Sequence, residues 1–269
     1  MSGPAWFRAL LVGALALTVV FLALPVVAIF VDAGPLDLVR SLGDEGAVEA
    51  LRLSLLCSSI AVAIIVLVGT PAAYLLATRR FRGRSTLMTV IELPLVLPPA
   101  VAGIGLLAAL GPHGLLGGLI EDAGLQLVLT TAGVVAALTF VAAPFFVRQA
   151  QTAFEAVDRS WLDASRTLGA GEARTFLRVA IPGAGGGLVA GLALAWGRAL
   201  GEFGATLMFA GSFRGITQTV PLAIYERFAT DFTGALALSA VLVGMSAALL
   251  LAVRLLSGSS WLGGARAAR

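Results

Sequence analysis

The chain has 269 residues, 59% of them hydrophobic and only 12% charged, with a mean hydropathy of +0.98. A soluble domain carries about a quarter charged residues, so there is too little charge here to surround a soluble core, and the chain reads as a membrane protein. Its 18 basic residues, all arginine, outnumber 15 acidic ones; the lack of lysine excludes a standard Walker A phosphate loop, and arginines placed mainly in short gaps between apolar runs argue against nucleic acid.

A helix needs ~20 mostly apolar residues to cross the hydrocarbon core, and six segments qualify: 9–31, 53–77, 88–110, 125–147, 185–210 and 234–256. The first follows Arg8 but is too long for a signal core, and Val31-Asp32-Ala33-Gly34 is no small-x-small cleavage site, so it is expected to be a retained span. The gap after it is acidic, with Asp32, Asp37, Asp44, Glu45 and Glu49 against Arg40 and Arg52. The second span holds Cys57, the sole cysteine, expected as a small packing residue, and the gap beyond it carries Arg79, Arg80, Arg82 and Arg84 with no acid.

The third span contains Pro94, Pro98 and Pro99 near its start, which predicts a bend or break. Two readings stand: a kink for packing, or irregular backbone beside a transport path, since irregularity at membrane depth must be buried in protein or line a cavity. The next gap has Glu121 and Asp122, no arginine, and His113, the sole histidine, expected to be solvated. One His and one Cys are too few for a structural zinc site or a Cys/His catalytic pair. Arg148, Arg159, Arg166, Arg174 and Arg178 follow the fourth span; the fifth gap, with Arg214, Glu226, Arg227 and Asp231, is neutral; Arg254, Arg266 and Arg269 close the chain. Arginine-rich gaps on alternate sides put both termini in the cytoplasm. The fold class expected is an all-α integral membrane protein of six transmembrane helices.

The long arginine-side gap is patterned. Mixed charges around Leu162, Leu168, Phe176 and Leu177 predict short amphipathic helices at the membrane face. Gly169-Ala170-Gly171 ends the first of them, because glycine accepts the left-handed turn at a helix C-terminus. Asp163 is placed early in that helix, where a carboxylate favours the positive end of the dipole.

At these residues the chain resembles the permease family of binding-protein-dependent ABC importers. The hallmark of that family is Glu-Ala-Ala, three residues, Gly, nine residues, Ile-x-Leu-Pro. Asp163-Ala164-Ser165, Gly169 and Val179-Ala180-Ile181-Pro182 fall at those spacings without a gap, with Asp, Ser, Val and Ile as departures that keep charge sign or size. The resemblance implies the type I importer permease fold and a coupling loop at about 154–182, which docks a short helix into a separate cytoplasmic ATPase. It also implies that the chain is no enzyme: it binds no cofactor, and ATP and Mg sit on the ATPase. The implied partners are that ATPase, a second copy of the chain, membrane lipid and an extracytoplasmic oxyanion-binding protein meeting 37–49, 111–124 and 212–232; no nucleic acid is among them. The implied location is the bacterial cytoplasmic (inner) membrane. The plainer alternative for the loop is a cap over helix ends.

Within the fifth span, Arg198 lies ~20 Å along a helix from Gly185. An arginine near the bilayer centre costs at least roughly 2.5–3.5 kcal/mol and should not face lipid. Glu202, four residues on, is placed to pair with it, and Gly197, Gly201, Gly204 and Ala205 let another backbone approach. The pair reads either as a structural lock or, with Thr206, as part of an anion pathway, and one pair can serve both. The stretches 198–211 and 217–225, with Pro94-Leu95-Val96-Leu97-Pro98-Pro99, look like the molybdate/tungstate branch of the family. Molybdate is the expected cargo, with tungstate or sulfate/thiosulfate as alternatives.

The resemblance covers about 51–256. The expected organisation is 1–50 as first helix and extracytoplasmic loop, 51–256 as permease core, and 257–269 as a short cytoplasmic tail. A proton-coupled secondary carrier, using Glu92 and Glu202 as proton sites, is the alternative of a different class; such carriers need no coupling loop, and no internal repeat of the kind common among them is visible. A membrane-embedded enzyme would need a convergent catalytic set, which the single His and Cys do not supply.

Overall fold

The computed structural model of the chain describes residues 5–34, 36, 40, 41 and 43–264. Asp37, Arg266 and Arg269, used in the charge pattern above, lie outside the described residues, as does the side chain of Arg254.

Helix α1 (Ala5–Asp32) is apolar all round and leans chiefly on the last helix, leaving most of its described surface exposed. Helix α2 (Glu45–Thr78) is started by Asp44, whose Oδ1 accepts the N–H groups of Gly46 at 2.8 Å and Ala47 at 3.2 Å. After a turn that uses Gly83 at φ +88°, α3 (Arg84–Val96) and α4 (Pro99–Leu110) are bent by 119° at Leu97-Pro98. Proline at 98 cannot donate to the preceding turn, and Pro99 is preset for the first position of a new helix. The expected break in the third span is therefore present.

A short α5 (Gly117–Asp122) precedes α6 (Thr131–Glu155), capped by the Thr130 hydroxyl. Helix α6 starts later than the apolar run suggested and extends past 147, so Arg148 belongs to a helix rather than to the gap. Helix α7 (Arg159–Thr167) and α8 (Glu172–Thr175) follow. A π-helical turn (Phe176–Ala180) joins α8 to α9 (Ile181–Leu200), making Glu172–Leu200 one apolar span. The expected unbroken helix over 185–210 is a correction: α9 stops at Leu200 and α10 (Gly204–Ala210) begins anew. Helix α11 (Val220–Phe228) and α12 (Phe232–Gly264) complete the chain. Among the described residues, five helices are long and apolar enough to cross a membrane, or six if the bent α3–α4 pair counts as one span.

Helix α6 is the centre of the bundle, packed by α2 and α9 and, less extensively, by α3 and α10. Its inner face joins Leu138, Ala142, Phe146 and Ala150 to Leu53, Cys57 and Ile65 of α2. Helix α9 comes in closely because a Cβ on Gly187 would stand 2.3 Å from the Ala153 Cβ. Two serines of α2 add polar ties. Ser54 Oγ accepts the Val220 N–H at 2.8 Å, starting α11, and Ser58 Oγ accepts the Trp196 indole N–H at 3.0 Å. Cys57 is fully buried between them, a packing residue as expected, and His113 is exposed.

Candidate functional site

The expected coupling loop is shaped by its caps. Asp158 begins α7 by accepting the Ser160 N–H at 2.8 Å, and that N–H together with the Ser160 hydroxyl holds the Asp158 carboxyl below the usual carboxylate range. Leu162 turns inward beside Val157 and Ala180, while Trp161, Asp163 and Ala164 face out. Gly169, at φ +83°, closes the helix: its N–H reaches the Arg166 carbonyl, and the Ala170 N–H reaches that of Ser165. That is the two-bond ending glycine makes possible. Asp163 lies a full turn beyond the helix start and pairs with Arg166 at 3.0 Å, so its expected role at the dipole is a correction; Asp158 has it.

Ser165 and Thr175 hydroxyls meet at 3.0 Å, joining α7 to α8. Val179 sits half-buried in the π turn, Ile181 half-buried at the start of α9, and Pro182 exposed in its first turn, where no backbone donor is needed. The motif residues therefore fall on one folded unit. Other side chains hold that unit to the bundle, and the sequence reading had not singled them out. Arg79 pairs with Glu172; Arg84 reaches the Leu76 carbonyl and Glu155 Oε1, both at 2.7 Å. Beneath them Tyr74, Phe154 and Phe176 cluster with ring centroids 4.7–6.2 Å apart. The available signal was the isolated acids Glu155 and Glu172 in an arginine-rich stretch.

The second group lies at the α9–α10 break. Arg198 is in the last turn of α9, where a cation suits the helix dipole. Its Nη2 is 2.6 Å from Glu202 Oε2, and Glu202, 1% exposed, uses Oε1 to accept the Ala205 N–H at 2.7 Å. Both carboxylate oxygens are thus engaged: one holds the arginine, the other begins α10. The pair expected across one helical face forms instead across a break. Arg198 keeps 29% of its side chain exposed. Thr206 is fully buried in α10, and its hydroxyl has no hydrogen-bond partner among the described residues. Helix α10 packs along α4, with Gly204 on Pro99 and Gly103 on Ala205 and Met208. The broken third span and the broken fifth span therefore restart side by side.

At the far end of α2 from the arginine-rich turns, Arg227 reaches Asp44 at 2.7 Å. Burial pushes the Asp44 carboxyl up, but the Ala47 and Gly46 N–H groups and the Arg227 guanidinium outweigh that and hold it below its usual range. Gln218 is buried between Ser212 and Glu226, Thr217 Oγ1 accepts the Phe213 N–H at 2.9 Å, and Arg214 pairs with Glu226. This end is a hydrogen-bonded cap of loops and α11.

The bundle thus combines five membrane-long helices, or six spans if the bent α3–α4 pair is one, with a folded polar loop at one end and a broken helix at Gly201–Phe203. Residues 65–259 match the family described as the binding-protein-dependent transport system inner membrane component, and the chain belongs to that family. It is similar to the molybdenum transport system permease protein ModB of Mycobacterium tuberculosis, 41% identical over 235 residues, 87% of this chain and 89% of the relative. The sulfate transport system permease protein CysW of Synechococcus elongatus is 36% identical over 208 residues, 76% of this chain and 73% of the relative. In fold, it resembles a chain of the bacterial alginate ABC transporter in complex with its alginate pentasaccharide-bound periplasmic protein. The TM-score is 0.73 over 92% of each chain, at 15% identity. The chain is a non-catalytic permease subunit of an ABC importer, residing in the inner membrane. Membership of this family replaces the secondary-carrier reading, and Glu92 is held by Arg148 at 2.9 Å.

Proposed function

We propose that this subunit imports molybdate, or a tetrahedral oxyanion of the same class, as one of two identical copies around a central pathway. The observation that carries the reading is the Arg198–Glu202 pair at the α9–α10 break. An arginine far along an apolar helix is retained at a cost unless it faces protein or a polar cavity. Here Glu202 binds it through one oxygen, leaving further N–H donors of the guanidinium for an anion. A neutral pair attracts a dianion less than a lone arginine would, and transport requires release as well as binding. The name carried by the ModB relative supports molybdate. Sulfate is the second reading, supported by the CysW relative.

The arginine-rich turns and both termini lie on the cytoplasmic side, as the charge asymmetry favours. There α7 docks on a separate ATPase that binds ATP and Mg. Asp163 and Ala164 are presented to the ATPase, Ser165 and Gly169 fix the shape of the docking helix, and Val179, Ile181 and Pro182 join it to α9. ATP binding opens the bundle outward and hydrolysis resets it, a rigid-body change at the interface in which this chain makes and breaks no bond. A binding protein delivers the anion at the opposite face, through 111–124 and 212–232. Residues 51–256 form the working core, 1–50 add a helix and loop, and 257–269 a tail.

The test is uptake into proteoliposomes containing the permease with its ATPase and binding protein. ATP-dependent molybdate uptake is expected, reduced about tenfold or more by Arg198→Gln through loss of a charged donor. Preference for sulfate would install the second reading. Full uptake by Arg198→Gln would make the pair a structural lock only.

A further inference from the structure

A lateral groove of about 390 Å3 opens between α2, α3 and α6, with Val68, Val90, Pro94, Phe140 and Val147 among its walls. Its lining is almost wholly apolar. Thr139 brings its one side-chain hydroxyl, and that is committed to the Val135 carbonyl at 2.7 Å. A polar solute would gain nothing here, whereas hydrocarbon fits.

The groove has the depth of one leaflet. Its lining runs ~12 Å along α6, from Thr139 to Val147, and ~12 Å along α2, from Ile64 to Ala72, at 1.5 Å per residue. Half of a hydrocarbon core ~30 Å thick is ~15 Å. The shallow end is at the arginine-rich side: Val147 precedes Arg148, which is 59% exposed while paired to Glu92. In the nearby α2–α3 turn, Arg79 and Arg84 are engaged by Glu172 and Glu155. Arg80 and Arg82 are exposed, with no hydrogen-bond or ion-pair partner among the described residues, and flank the exposed Phe81. Because Glu92 offsets Arg148, these two arginines supply the surplus positive charge. Aromatic and basic residues at the end of a span suit the headgroup region.

We infer that the groove holds an acyl chain of an anionic phospholipid from the cytoplasmic leaflet, its phosphate against Arg80 and Arg82. Charge complementarity selects the lipid class: a zwitterionic lipid fills the groove equally well but gains less from the two arginines. The inference rests on the membrane orientation proposed above, and not on the identity of the transported anion.

The whole transporter, placed in nanodiscs of equal phosphatidylcholine and phosphatidylglycerol and released into mild detergent, is weighed with its retained lipid by native mass spectrometry. Phosphatidylglycerol is expected to stay bound in preference. Arg80→Gln with Arg82→Gln should cut its retention roughly tenfold and leave phosphatidylcholine unchanged. Val68→Trp, on the exposed rim, should exclude both lipids without altering charge. Equal retention of the two lipids by the unaltered protein, or full phosphatidylglycerol retention by Val68→Trp, overturns the inference. So does a bifunctional maleimide joining two permease chains through Val68→Cys in a Cys57→Ala background, which would make a second copy the occupant. No readout involves uptake, so failure here leaves the Arg198 proposal standing, and the reverse holds too.

Discussion

Pro99 and Gly204 touch where two helices restart: a Cβ on Gly204 would lie 2.5 Å from the Cβ of Pro99. The seam continues at Gly103, where a Cβ would stand 2.6 Å from the Met208 Cβ and 2.8 Å from the Ala205 carbonyl oxygen. The missing side chains of Gly204 and Gly103 thus set the spacing of α4 and α10. Gly103→Val should lower stability by about 1–3 kcal/mol through overpacking and impair uptake. Gly105→Ala, which meets open space, should do neither. Thermal unfolding of the detergent-purified protein, paired with the uptake assay, checks both.

The Arg198–Glu202 pair should respond unevenly to single and double substitution. Stranding one member of a buried pair costs roughly 3–5 kcal/mol, and less here because Arg198 keeps access to solvent. Arg198→Gln or Glu202→Gln alone should therefore destabilise. The double variant should regain much of the lost stability while uptake stays low. Uptake that returned along with stability would reduce the pair to a lock between helices.

Gly169 has a conformational role and no steric one. At φ +83° with nothing within 4 Å of a built Cβ, Gly169→Ala should cost about 1–2 kcal/mol at the helix end. The expected result is a fold that persists and a permease that co-purifies with less of its ATPase. Gly171→Ala, at φ −67° and equally open, is the silent control.

Asp44 makes stability at the N-terminal end of α2 depend on pH. Its folded value lies below the ordinary 3.8, so its contribution is complete above that value and is lost as pH falls through the folded one. Replacing the cap by Asp44→Ala should cost ~1 kcal/mol at neutral pH. The gap in melting temperature between the two proteins should be constant from about pH 7 to about pH 5 and shrink below about pH 4.

Particular residues show which features were legible in advance. The Leu97-Pro98 break was, because a missing N–H acts on its own helical turn. The Gly169 ending was, because only the local backbone angle matters. The break at Gly201–Phe203 was not: the apolar run 185–210 is equally compatible with an unbroken helix. In the structure, the Glu202 carboxylate starts α10, and α10 lies along α4 with its first residue on Pro99. The dipole position expected for Asp163 belongs to Asp158, because it depends on where the helix starts and both acids lie within five residues of each other. The candidate site was thus legible as a set of residues and not as a geometry.

By itself, the sequence determined that the chain enters a membrane, which segments are apolar enough to span it and where the charged turns lie along the chain. Those properties are sums over one ~20-residue segment and its flanks. Only the tertiary structure decided which charges meet. Arg227 with Asp44, Arg79 with Glu172 and Arg84 with Glu155 join positions 183, 93 and 71 residues apart. Such pairs form when packing brings distant helix ends within hydrogen-bond reach, and hydrogen bonding acts over a few ångströms of space regardless of separation along the chain.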